Sequence, residues 1–304
     1  MDDTTLALPY GLEVDHKTGT VLVADMKLPG IVELSGTTGR MVRVLGKKGD
    51  GPGEFNMPQR LALSPNGKLL AVYDIGRRSV DILTREGKQV RRIPIGTIPF
   101  LKGMAVSDDT TIVLAGGRLA SGRMPSAITW IQHGAISSTG PVPPSVPGLE
   151  EDRDLDGRVY AAGGPLMLRG EMAVLADAGS GDIWHTSPLN ARKVADGPGA
   201  PPDLVASIIQ PTEVDGQQLK RISFNFPQAI LVDTTGVNRY LVGYSDKAAK
   251  RLTFYLDMPG AATKVLSSWG ISPSVMARFD PDTFVVLELG EDGWRLSRVR
   301  MPVS

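Results

Sequence analysis

The chain has 304 residues, with 33 Lys and Arg against 33 Asp and Glu, so its formal net charge is zero, and it contains no cysteine. These figures exclude a disulfide scaffold and a Cys-based metal site, argue against a dedicated nucleic-acid binder, and, with 41% hydrophobic residues, exclude a disordered chain. Glycine (35) and proline (23) are abundant and no apolar run reaches about 18 residues, which predicts a turn-rich fold without a membrane span. The stretch Met1–Thr5 lacks the basic and apolar regions of a signal peptide. It fits a periplasmic or secreted protein that begins after a removed leader, and equally a cytoplasmic one.

From Pro9 onward, short apolar strands alternate with Gly, Pro and Asp turns in a recurring unit. The first unit comprises Pro9–Asp15, a turn at His16–Gly19, Thr20–Asp25, Ile31–Leu34 and Arg40–Leu45. The second repeats it with Pro58–Ser64, a turn at Pro65–Gly67, Lys68–Asp74, Val80–Leu83 and Gln89–Ile93. Pro9 stands as far before Asp25 as Pro58 stands before Asp74. A third unit starts at Pro99, a fourth spans about Gly164 to Asp196, and a fifth Pro227 to Ser268. The sixth runs from Pro273 to the end with three strands, Val275–Phe279, Thr283–Leu289 and Trp294–Met301. The apolar segment Thr4–Leu8 is expected to supply its fourth strand, because an open ring of sheets would leave two unpaired edges. One short helix is expected at Asp203–Gln210. The spacing Asp-x5-aliphatic recurs at Asp25/Ile31, Asp74/Val80, Asp177/Ile183 and Asp246/Leu252. A carboxylate at a strand end accepts backbone N–H bonds and closes a turn, so these aspartates are read as mechanical. Asp-Gly-Pro-Gly, at Asp50–Gly53 and Asp196–Gly199, reads as a tight crossover between units.

The run Gly46–Pro58, followed by Leu61–Ser64 and Ala71–Asp74, resembles the NHL-type repeat of six-bladed β-propellers and the bacterial extracytoplasmic TolB-like group. The resemblance is good over residues 8–96, moderate over 160–260, and implies an all-β, six-bladed β-propeller of four-stranded antiparallel blades. That makes residues 1–304 a single domain. Six-bladed lactonases of similar fold hold a central metal, which would place Glu13 and Asp233 at an alternative channel-metal site, although the matching asparagines are missing here. Such a fold hosts many activities, so the resemblance speaks to architecture and not to chemistry.

Two insertions, about residues 141–163 and 197–222, leave a fourth strand and approach the next first strand. They belong on one face of the ring, the face of the Asp25, Asp74 and Asp177 turns, which marks a binding surface. The first carries Asp152-Arg153-Asp154-Leu155-Asp156-Gly157, the opening of a calcium loop. Gly163 stands where a twelfth-place Glu is expected, and a solvated acidic loop is the other reading. Tyr10, Gln59, Arg60, Lys102 and Gln228 stand at the starts of first strands, with Arg77, Arg78, Arg118, Arg123 and Arg221 on or near turns of the same face. Arginine's planar fork of donors suits a carboxylate or phosphate. No Gly-x-Ser-x-Gly, His-Glu-x-x-His or Walker pattern occurs. The favoured reading is a monomeric module that binds a small anionic ligand or a protein at this face. The rival is a metal-assisted hydrolase or lyase with a cation in the channel. A third is a structural component of an envelope assembly.

Overall fold

The computed structural model describes residues 6–28, 30–98, 101–118, 126–141, 163–177, 181–197, 209–214, 217–222, 228–233, 240–246, 251–257, 264–269, 275–280, 282–290 and 293–300, with side chains for all of these except 118, 138–141 and 209–269. The architecture is that of an all-β propeller with four-stranded antiparallel blades. The first sheet is β1 (Pro9–Asp15), β2 (Thr20–Asp25), β3 (Ile31–Ser35) and β4 (Met41–Leu45), paired in chain order. A short parallel pair, β5 (Lys47–Lys48) and β6 (Glu54–Phe55), lies in the following crossover. The second sheet is β7 (Pro58–Leu63), β8 (Leu69–Asp74), β9 (Ser79–Thr84) and β10 (Gln89–Pro94). The third is β11 (Gly103–Val106), β12 (Ile112–Arg118), β13 (Ser126–Gln132) and β14 (Ala135–Pro141). The fourth is β15 (Leu166–Arg169), β16 (Met172–Ala176), β17 (Ile183–Thr186) and β18 (Ala191–Ala195). A separate hairpin, β19 (Ile209–Val214) and β20 (Gln217–Ile222), precedes the fifth sheet of β21 (Gln228–Asp233), β22 (Tyr240–Asp246), β23 (Arg251–Asp257) and β24 (Lys264–Trp269). The last sheet has three strands, β25 (Val275–Asp280), β26 (Thr283–Gly290) and β27 (Gly293–Arg300).

The chain divides into two compact units, one of residues 1–114, 130–137 and 273–304, the other of residues 115–129 and 138–272. In the first unit, β1 packs between β25 and β7, and β7 between β1 and β11. Successive side chains of a strand point to opposite faces, so each sheet fills the gap on both sides. Leu12 and Val14 of β1 join Val275, Val285 and Leu287. Leu61 of β7 joins Leu22, Ile31, Leu45 and Phe55, while Ala62 and Tyr73 face Met104, Ile112 and Leu114. In the second unit, Val174, Ala176, Ile183 and Ala195 form their own cluster.

Two expectations are corrected. Among the described residues five sheets have four strands, where six were expected, because Leu6–Leu8 does not form a strand beside the last sheet. The N–H groups of Ala7 and Leu8 go instead to the Asp25 carboxylate, at 2.6 and 2.9 Å. The segment still fastens to the last sheet, since Leu6 is buried among Val275, Val285 and Leu287, and the Trp294 indole N–H donates to the Ala7 carbonyl at 3.4 Å. The short helix is also wrong where it can be seen. Ile209 and Gln210 begin β19 and pair with Ile222 and Arg221. The sequence between the two strands is Asp215-Gly216, a dipeptide with a strong hairpin preference, and that signal outweighs weak helical patterning.

Candidate functional site

The strand-end aspartates build the frame of the site. Pro9 pairs with Asp25 and Pro58 with Asp74, so each carboxylate sits where the first strand of its sheet begins. Asp25 closes its own turn by accepting from Lys27 N at 2.9 Å and Leu28 N at 3.2 Å, as the spacing predicted. It also reaches back to Ala7 and Leu8. Asp74 repeats this with Arg77 N at 3.2 Å on one side and Asn56 N at 2.7 Å and Met57 N at 3.0 Å on the other. The spacing rule does not reveal the backward reach, since it joins residues 17 or 18 positions apart. Both side chains are fully buried, and the bonds leave few backbone donors there without partners.

Immediately inside this frame, both inner strands slip register at the same place, between Pro9 and Gly11 and between Pro58 and Arg60. Such bulges re-aim side chains. Gly11 permits the two strands to approach, since a Cβ there would stand 2.9 Å from the Gln59 carbonyl oxygen and 3.1 Å from the Arg60 Cα. Arg60 bridges the inner edges. Its Nη1 donates to Tyr10 O at 2.7 Å and its Nε to Leu101 O at 2.8 Å. Burial draws the guanidinium down to about 10, with no carboxylate among its causes. No ion pair involves Arg60 among the described residues. Gln59 beside it is 3% exposed, and its Oε1 has no hydrogen-bond partner among the described residues. A half-turn of the terminal torsion would present its NH2 donors there instead. Tyr10 is exposed on the rim, and Lys102, partly buried, adjoins Leu101.

The remaining predicted residues divide three ways. Arg78 is exposed at the same end and holds a left-handed backbone, φ 58°. Arg77 is corrected: its side chain is 6% exposed, bonded to the Gly49 carbonyl and set 3.6 Å from Asp81 and 3.5 Å from Asp50, so it pins the crossover rather than meeting a ligand. Arg123 and the acidic loop Asp152, Asp154 and Asp156 lie outside the described residues, as do the side chains of Arg118, Arg221, Gln228 and Asp233. Backbone placement puts Gln228 and Asp233 at the two ends of β21 and Arg221 in β20.

Glu13, on β1, is partly exposed as a residue, yet protein surrounds its carboxyl. Burial pushes the carboxyl up to about 7, and only the Val14 N–H opposes that. Among the described residues no group of three or more His, Asp or Glu is placed to hold a metal. Glu13 therefore stands as a lone carboxyl that changes charge near neutral pH. A folded-state value above the usual 4.5 stabilises the protein below that pH, and the contribution is lost as pH rises through about 7. Glu13→Gln should therefore leave the thermal midpoint nearly unchanged below about pH 4 and raise it relative to the natural chain at pH 8. A difference that stays flat across that range would show that the carboxyl is hydrated.

No family model matches the chain, and no curated protein does. Similarity to solved structures is extensive in coverage and low in identity. Hydrazine synthase from Kuenenia stuttgartiensis is 12% identical with a TM-score of 0.59, covering 99% of this chain and 98% of that one. A putative exported protein from Bacteroides fragilis is 11% identical with a TM-score of 0.53, covering 88% and 73%. The WD40 repeats of RRP9 are 11% identical with a TM-score of 0.52, covering 92% and 86%. These likenesses concern the fold alone. No helix among the described residues is long and apolar enough to cross a membrane.

Proposed function

We propose that the chain is a ligand-binding β-propeller module whose Arg60 end takes a small carboxylate or phosphate. The observation that carries this is a guanidinium held by two carbonyls, Tyr10 O and Leu101 O, with no carboxylate among the described residues to neutralise it. A structural arginine in a propeller wall normally has an acid partner, as Arg77, Arg85 and Arg92 do here. Among the described residues no acid pairs with Arg60, and it stands at the bulge of its strand, an arrangement suited to anion recognition. Exposed Arg78 adds positive potential at the same end. This reading goes with an extracytoplasmic setting, for which the only support is the likeness to a putative exported protein.

Calorimetric titration of the full chain with succinate and with inorganic phosphate tests the site. Binding of at least one should weaken about tenfold or more in Arg60→Gln, since a charge-assisted bond contributes roughly 1.5–3 kcal/mol. Arg60→Lys, which keeps the charge and loses the fork, should fall between. Equal affinity in all three proteins would dismiss Arg60. A second reading, an acid–base enzyme, is favoured by Glu13 alone, since a carboxyl titrating near 7 is poised for proton transfer.

A further inference from the structure

A separate cavity lies at the opposite end of the first sheet, where Ser35 pairs with Thr20. The turn from β3 to β4 reads Gly36-Thr37-Thr38-Gly39. Gly36 N donates to Gly19 O at 3.0 Å and Gly39 N to Ser35 O at 2.8 Å, which holds the turn down. A Cβ on Gly36 would stand 2.5 Å from the Gly19 oxygen and 2.6 Å from the Phe279 ring, so only glycine lets this turn settle on that ring. Arg298 of β27 lies over the same ring, with its Cζ 3.7 Å from the centroid. Between the turn and the last sheet opens a cavity of about 240 Å³, lined chiefly by Thr37, Thr38, Val285, Leu296, Ser297 and Arg298.

Three features set the chemistry of an occupant. Among the described residues no Asp or Glu lines the cavity. Arg298 forms no ion pair among the described residues, and stacking on Phe279 fixes the plane of its donors. Val285 and Leu296, which belong to the apolar cluster behind, supply an apolar wall. The volume, about 240 Å³, suits a small molecule. We infer that this cavity is a second ligand site, for a small carboxylate with a compact apolar body, its carboxylate on the Arg298 fork and its body against Val285 and Leu296. The site is independent of Arg60, and the two are separable by mutation.

Benzoate is the probe, added to the full chain and followed by amide chemical shifts. Saturable shifts at Thr37–Arg40 and Leu296–Arg298 are expected in the natural chain and in Arg60→Gln. Arg298→Gln should weaken them about tenfold or more, and Arg298→Lys should weaken them less, because lysine keeps the charge but not the fork. Arg298 is exposed, so these variants should fold. Benzyl alcohol, of the same shape without the charge, should bind more weakly than benzoate. The inference is overturned if those amides show no saturable shift up to the solubility limit. It is equally overturned if Arg298→Gln binds as the natural chain does, or if benzyl alcohol matches benzoate.

Discussion

Replacing Arg85 by alanine is expected to destabilise the protein by about 3–5 kcal/mol, the scale for breaking a buried ion pair from one side. Arg85 follows β9 of the second sheet and gathers one residue from each strand of the first. Its Nε donates to Asp15 of β1 at 2.7 Å, its Nη2 to Thr20 of β2 at 3.1 Å and, closely, to Glu33 of β3. Arg43 of β4 joins by donating to Glu33 at 2.6 Å and to the Arg85 carbonyl at 3.4 Å. Asp15 is 2% exposed and Glu33 3%, so alanine would leave Asp15 without a charged partner and Glu33 with Arg43 alone, both away from water. Burial alone would raise both pKa values, but the bonds from Arg85, with Arg43 and Thr20 at Glu33, prevail. They hold Asp15 below its usual range and bring Glu33 down to about 2. The sign follows: depressed acids stabilise the fold above their ordinary values, near 4, and that stability is lost as pH falls through about 2. The gap in thermal midpoint between the natural chain and Arg85→Ala should be widest near neutral pH and should narrow below about pH 4. A constant gap would mean that Arg85 acts by packing alone. Arg85→Met, which keeps volume and also removes the charge, should behave like alanine if charge is the cause.

Asp74→Ala is expected to cost at least about 3 kcal/mol, since it removes the acceptor for three backbone N–H groups, each worth roughly 1–3 kcal/mol when left unpaired and buried. Asp74→Asn keeps one oxygen and should lose less. The same pair of substitutions at Asp25 should show the same ordering, because Asp25 serves Ala7, Leu8, Lys27 and Leu28. Deleting residues 1–8 should lower the thermal midpoint by removing Leu6 from the last sheet's cluster and two donors from Asp25. If either aspartate tolerates alanine with an unchanged midpoint, the carboxylates are dispensable and the turns hold themselves.

Much of the fold could be read directly from the chain. The boundaries of β1 and β2 are those expected from the alternation of apolar residues and the Gly and Asp turns, and β7 and β8 differ from expectation by one residue at one end each, because strand periodicity and turn chemistry are local. The Asp-x5-aliphatic spacing likewise announced the turns at Asp25 and Asp74. The last sheet's three strands were placed to within one residue of their observed ends. What was misread depended on competition between partners. Thr4–Leu8 has a strand-like composition, yet the Asp25 carboxylate takes the donors of Ala7 and Leu8. Arg77 has the same one-letter appearance as Arg60, yet one is locked among Asp50, Asp74 and Asp81 and the other is held by carbonyls alone.

By itself the sequence determined the class of fold, the repeating unit and the residues that make its turns, since each of those rests on neighbours within a few positions. Only the tertiary structure decided which charged groups are paired with an acid and which are not. Arg60, Arg85 and Arg298 belong to similar strand-and-turn surroundings, and their fates differ by what residues far along the chain bring against them: carbonyls, two buried carboxylates, or an aromatic ring beside an open cavity. Electrostatic character depends on distance and burial, and neither is written in the local order of residues.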